Sequence, residues 1–190
     1  ITSLKSVDEI RMGNLLSLPQ SLNFEAWSKA WSSACTGVRC EGLRGYFWNS
    51  VVIVVPAVLI STLIGAFNGY VLSHWRFKGS ELMFGLLMIG FFIPFQVILL
   101  PMARTLGLFG LASSAAGVIF VHVVYGLVST TLFFRNFYVS VPEELIKAAR
   151  IDGAGFFRIF WRILLPVSWP IVMVTLIWQF TQIWNDFLFG

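Results

Sequence analysis

The side chains in this sequence that can do chemistry are few, and they crowd between residues 135 and 166. Eight of the 22 charged residues lie between Arg135 and Arg162. Ser140 and Glu143 have capping-box spacing and Pro142 suits a first turn, so a helix is predicted over about 141–151. Glu143 precedes Lys147 by one helical turn, the favourable order for an ion pair. Ala148 and Ala149 leave a smooth, small-residue surface, and Gly153 suits the left-handed residue that ends a helix. Beyond it Phe156, Ile159, Phe160, Ile163 and Leu164 recur at helical spacing as an apolar stripe. Arg158 and Arg162 fall on the other face, and Pro166 is expected to stop this second helix. A short helix braced by an amphipathic one can dock a soluble partner, or it can be a plain connector. The residues alone leave both open.

Elsewhere the chemistry is thinner. His74 and His122 are far apart, and no His, Cys or carboxylate cluster suits a metal or an acid–base site. No Lys follows a Gly, so the phosphate-binding GxxxxGK[ST] loop is absent. Cys35 and Cys40 can form a local disulfide if they face an oxidising compartment, or stay free thiols. Polar residues inside apolar runs are the remaining candidates. Gln96, His122, Gln179, Gln182, Trp184 and Asn185 offer hydrogen bonds and an aromatic face to a neutral polar solute. Each can equally bridge helices.

The elements that must position these groups are set by where charge is missing. Runs of 31, 22, 30 and 23 residues without Asp, Glu, Lys or Arg follow Arg44, Glu81, Arg104 and Arg162. Crossing a hydrocarbon core takes about 20 residues as a helix, and a backbone in lipid must satisfy its own hydrogen bonds. The predicted class is therefore all-α, a polytopic bundle with four spans near 48–73, 82–103, 114–134 and 167–188. Only 12% of residues are charged and 57% are hydrophobic, which excludes an ordinary soluble domain. Pro94 and Pro101 should kink the second span, and the apolar stretch 104–113 is expected to dip back toward the membrane. Gly65 and Gly69 have the spacing that lets helices approach closely. Arg76 and Lys78 share a side with 135–166, which the positive-inside rule makes cytoplasmic. The other side carries Arg104 in a short loop and the polar segment 1–47, where Phe24, Trp27 and Trp31 fit either a short amphipathic helix near the membrane surface or a solvated loop with a few buried aromatics. The net charge of +4 sits at membrane edges, so no nucleic acid is expected as a partner.

The 140–166 segment resembles the EAA loop of bacterial ATP-binding-cassette importer permeases. That pattern is Glu-Ala-Ala, three residues, Gly, nine residues, then Ile-x-Leu-Pro. Here Ala148-Ala149, Gly153 and Ile163 to Pro166 match in type and spacing. Asp152-Gly153-Ala154 and Trp184-Asn185-Asp186-Phe187 resemble the carbohydrate, maltose-type branch, most like its glucose and mannose permeases. One position departs: Lys147 replaces the motif Glu, and Glu143 or Glu144 is left to supply an acidic group.

The resemblance implies six spans, with one before Ile1 and one after Gly190 missing, in a bacterial inner membrane. It implies an extracytoplasmic segment over 1–47 and a permease domain over 48–190 with its coupling loop at 135–166. It implies a second homologous permease, two ATPase subunits that bind ATP and Mg, a periplasmic solute-binding protein and a sugar. This chain itself would hold no cofactor and catalyse nothing. The rival from the residues is an ion-coupled secondary transporter, which usually carries carboxylate relays in mid-membrane. Here Glu81 and Asp186 lie at span ends.

Overall fold

A computed structural model describes residues 1–13, 16–75 and 77–186. Arg76 and Phe187 lie outside the described residues, as do the ends of the last predicted span and of the 48–190 domain. The chain divides into two compact units, Ile1–Val51 and Val52–Gly190.

The first unit is short helices joined by turns. A 3-10 turn (Thr2–Leu4) leads to α1 (Val7–Met12), where Ser6 Oγ accepts from the Glu9 N–H at 3.3 Å. The amphipathic helix expected around Trp27 is α2 (Glu25–Ser32), tied by a Glu25–Lys29 ion pair of 2.7 Å. That lysine holds the Glu25 carboxyl below the usual carboxylate range. Trp27 and Trp31 are exposed, and Trp31 meets Phe47 edge-on at 5.5 Å. Cys35 and Cys40 are joined in a disulfide around the Thr36–Arg39 bridge. Gly42 has φ +71°, and a Cβ there would press on the Ser32 backbone at 2.7 Å.

The second unit is all-α among the described residues, and two helices are straight candidates to cross a membrane: α3 (Arg44–His74) and α6 (Ala115–Val139). Pro56 sits inside α3 without ending it. The glycine pair works as its spacing predicts. A Cβ on Gly65 would run into the Thr130 side chain, and one on Gly69 would lie 2.6 Å from Phe134 Cβ. Only bare backbone at these positions lets α3 and α6 touch.

The other two predicted spans are not continuous rods. The second is α4 (Ser80–Phe92) and α5 (Phe95–Leu108), bent by 103°. A kinked helix was expected. Pro94 removes the N–H that would bond Gly90, and Ile93 before it is extended, at ψ 119°, so the helix ends and restarts. Arg104, expected in a loop, stands inside α5, and the 104–113 stretch is helical as far as Leu108. The last span is also bent, by 77°, between α8 (Phe156–Val167) and α9 (Trp169–Trp184). Pro170 sits in the first turn of α9. It has no N–H for the Pro166 carbonyl, and the break falls at Ser168.

Between α6 and α8 lies α7 (Glu143–Ile151). The predicted capping box does not form. Ser140 has helical angles, ends α6, and donates its hydroxyl to the Phe137 carbonyl at 2.6 Å. The first residue competent to start a new helix is then the one after Pro142, so α7 opens at Glu143. Pro166 does not stop α8 either. The turn before it widens over Phe160–Leu164, where the Leu165 N–H reaches back five residues to the Phe160 carbonyl. Such a bulge makes room for a proline ring that would otherwise strike the carbonyl four residues back.

Candidate functional site

Two features of the second unit gather the polar residues singled out above. The first is α7 and its turn. Asp152, Gly153 and Ala154 close it in a glycine motif: the Gly153 N–H bonds the Arg150 carbonyl at 3.0 Å, and the Ala154 N–H bonds the Ala149 carbonyl at 2.9 Å. Gly153 adopts φ +77°, the region only glycine enters without cost. Ile146 and Ala149, three apart, are buried. They join one core with Tyr70 and Phe134 and with the α8 stripe at Ile159, Phe160 and Leu164. Ile163 packs against it, half-buried, and Pro166 is exposed.

The core is stiffened by rings. Tyr70 lies 4.7 Å from Phe156 and 5.8 Å from Phe160, and its hydroxyl donates to the Phe156 carbonyl at 3.4 Å. Turned outward on α7 are Glu143, Glu144, Lys147, Ala148 and Ile151. Lys147 Nζ pairs with Glu143 at 3.1 Å. Both ends of that pair are well exposed, so it contributes at most about 0.5 kcal/mol. The result is a charged, small-residue surface on a helix whose buried face shares one core with residues of α3 and α8.

The second feature is a cavity of about 800 Å³ among α6, α9 and the α4–α5 break. His122, Gln179, Gln182 and Asn185 of the sequence candidates line it. Gln96 and Trp184 do not. Gln96 is exposed near the start of α5, and Trp184 stacks on Phe180 at 5.3 Å. Gln179 is largely committed to packing. Its Nε2 donates to Ser61 Oγ at 2.9 Å, over Gly126, whose missing Cβ makes the space. Thr130 Oγ1 lies 2.8 Å from the Gly126 carbonyl and 3.1 Å from that of Ser61. Together these polar groups knit α3, α6 and α9.

Sequence reasoning placed Asp186 in a resemblance motif and at a span end but did not name it among the site residues. It stands just beyond α9, and its Oδ2 lies 3.4 Å from His122 Nε2, with both side chains mostly buried. Tyr125, Phe91 and Trp178 also line the cavity unforeseen. A signal for Asp186 existed in its carboxylate closing an otherwise uncharged run, but its partner is far away in the chain. At the opposite end of α6, Arg135 lies 3.3 Å from Glu81 and 3.8 Å from the centre of the Phe84 ring, tying α6 to α4.

Residues 57–190 match the model of the family described as "Binding-protein-dependent transport system inner membrane component". The chain belongs to that family. The chain is 35% identical over 188 residues to the diacetylchitobiose uptake system permease protein NgcG of Streptomyces coelicolor, covering 99% of this chain and 60% of the relative. It is 32% identical to the glucose import system permease protein GlcU of Saccharolobus solfataricus, over 98% of this chain and 64% of that one. The chain thus spans about three-fifths of the length of such relatives. Its fold is similar to that of a chain from a bacterial ABC transporter involved in import of the acidic polysaccharide alginate. The TM-score is 0.76 at 19% identity, over 97% of this chain and 62% of the other. The family and the apolar helices together make this a membrane protein.

Proposed function

We propose that the chain is the transmembrane permease subunit of an ATP-binding-cassette importer that carries a sugar, glucose- or mannose-like or an oligosaccharide, into the cytoplasm. In this reading it sits multi-pass in a bacterial inner membrane beside a second homologous permease. A solute-binding protein delivers the sugar from the periplasm. Two ATPase subunits hold ATP and Mg, and they drive the cycle through residues 140–166.

The observation that carries the reading is the build of α7. One face is locked into the core through Ile146 and Ala149, while Glu143, Glu144, Lys147 and Ala148 face outward. Force applied to such a helix passes into α3 and α8 rather than being lost in a loose loop. Asp152, Gly153 and Ala154 close its turn, Ile163 packs against the same core and Pro166 ends the segment, and Gln182 and Asn185 with His122 offer hydrogen bonds along the solute path. That relatives are named for uptake of diacetylchitobiose, of glucose and of multiple sugars supports the substrate class.

Reconstitution with the cognate ATPase, partner permease and binding protein tests it. ATP-dependent sugar uptake that vanishes without the ATPase is the expected outcome. Uptake driven by an ion gradient alone would sink the proposal in favour of a secondary transporter. The buried His122–Asp186 pair is the one observation that favours that rival.

A further inference from the structure

α8 buries one face and leaves the other to its surroundings. Ile159, Phe160 and Leu164 go into the core. Phe157 and Trp161 are 64% and 51% exposed, and Arg158 and Arg162 beside them are exposed as well. Each pair has one-turn helical spacing, so an aromatic stripe runs next to a basic one. No Asp or Glu lies between Asp152 and Asp186. None of the ion pairs among the described residues uses Arg158 or Arg162. We propose that this face of α8 binds the headgroups of anionic phospholipids. The arginines take the phosphates, and Phe157 and Trp161 enter the upper part of the acyl chains. The proposal needs only that α3 and α9 cross a bilayer, so it stands or falls apart from the importer reading.

Direction and depth both place this face at the lipid surface. α8 is bent by 77° from α9. A helix so bent from a membrane-crossing one runs close to the membrane plane. Depth follows from α3. That helix ends at His74, and charge returns with the exposed Lys78, so its last turns stand at the headgroup boundary. α8 packs against those turns. Phe67 lies two turns before His74, about 10 Å further in. It stacks on Phe157 at 6.1 Å and meets Phe160 edge-on at 5.4 Å. Trp75, just past His74, meets Phe156 edge-on at 5.1 Å. α8 is thereby pinned between the acyl chains and the phosphates, the level at which amphipathic helices lie on a bilayer.

The chemistry at that level selects the lipid. An arginine stem can lie along apolar surface while its guanidinium reaches the phosphates, and its fork matches a phosphate with two parallel hydrogen bonds. In phosphatidylcholine a fixed cation sits beside the phosphate and offsets its charge. In phosphatidylglycerol nothing does. A face with two arginines and no carboxylate therefore prefers the second. A soluble acidic partner is the less fitting occupant, because Phe157 and Trp161 would stay exposed to water or have to be covered by it.

Quenching of Trp161 by acyl-brominated lipids tests this on the whole protein, with any subunits that copurify, in phosphatidylcholine nanodiscs. Brominated phosphatidylglycerol or brominated phosphatidylcholine is added at increasing fraction. The Trp161 signal is the difference from a Trp161→Phe blank. Phosphatidylglycerol should quench at a lower fraction than phosphatidylcholine, by about fivefold for each arginine. Arg158→Gln with Arg162→Gln should bring the two lipids level, and Arg158→Lys with Arg162→Lys should keep most of the preference. Unchanged preference in the glutamine variant overturns the proposal, as does a Trp161 that neither lipid quenches. So does a glutamine variant that sheds a copurifying subunit with its lipid preference intact, since the face would then belong to a protein partner. If the glutamine variant does not assemble, salt decides on the wild type. At about 1 M NaCl, where screening acts within about 3 Å, the preference should fall severalfold, and a preference that persists undiminished overturns the assignment.

Discussion

Single residues do three separable jobs here. Some glycines are spaces. Gly69 has no room for a Cβ, because Phe134 Cβ and the Arg135 backbone nitrogen lie 2.6 and 2.8 Å from where it would stand. Neither neighbour is the free end of a flexible chain, so α3 and α6 must separate. Gly69→Ala should cost about 1–3 kcal/mol, read as a lower thermal midpoint in detergent. Gly153 is a conformation rather than a space, since nothing crowds its missing Cβ and its φ is +77°. Gly153→Ala should cost about 1 kcal/mol through left-handed strain. Gly153→Asn, which tolerates that region better, should cost less. Lys147 is neither, being an exposed charge paired with Glu143. Lys147→Glu places three acids together on α7 and removes the pair, yet at such exposure the folding cost should stay below about 1 kcal/mol. Its effect is therefore expected in transport-coupled ATPase activity, and an unchanged rate would mean the position is permissive.

At the scale of elements, prolines decide where helices stop being straight, but their number in the sequence does not say how sharply. Pro56 is carried within α3, while Pro94 accompanies a 103° break. The difference lies in the neighbours. Ile93 has turned extended ahead of Pro94, and the adjoining cavity leaves the loosened backbone somewhere to go. Pro94→Ala returns the missing N–H and lifts the restriction on Ile93. Spin labels at Leu86 and Leu100 should then separate toward about 21 Å, the span of a straight helix of that length; in the native chain the 103° break keeps them closer. The second proline device, the widened turn over Phe160–Leu164, buries Phe160 and Leu164 together with the rings of α3. The apolar stripe on α8 was legible in the sequence because a 3.6-residue period does not depend on context. The bulge was not, because it answers to Pro166 and to the packing of Tyr70 at once.

The whole molecule separates into two units with different means of support. The first leans on local devices: the Glu25–Lys29 pair, the Gly42 turn and the Cys35–Cys40 disulfide. The second is held by glycine contacts, ring packing and shared hydroxyl bonds along α3, α6 and α9. Replacing both cysteines by serine opens only a short loop, and the chain entropy at stake is correspondingly small. Amide exchange should quicken over about 24–43 and stay unchanged through α6 and α9. The sequence by itself determined that this is a helical membrane protein, and it pointed to 140–166 as the proposed coupling surface. Uncharged runs in lipid have no other way to satisfy their backbones, and the spacing around Ala148, Gly153 and Pro166 is local chemistry. The tertiary structure alone decided which polar groups meet. Gln179 goes to Ser61, Asp186 to His122, and Gln96 and Trp184 stay outside the cavity. Those pairings are fixed by how α3, α6 and α9 cross and how sharply α4 turns into α5, which no local pattern records.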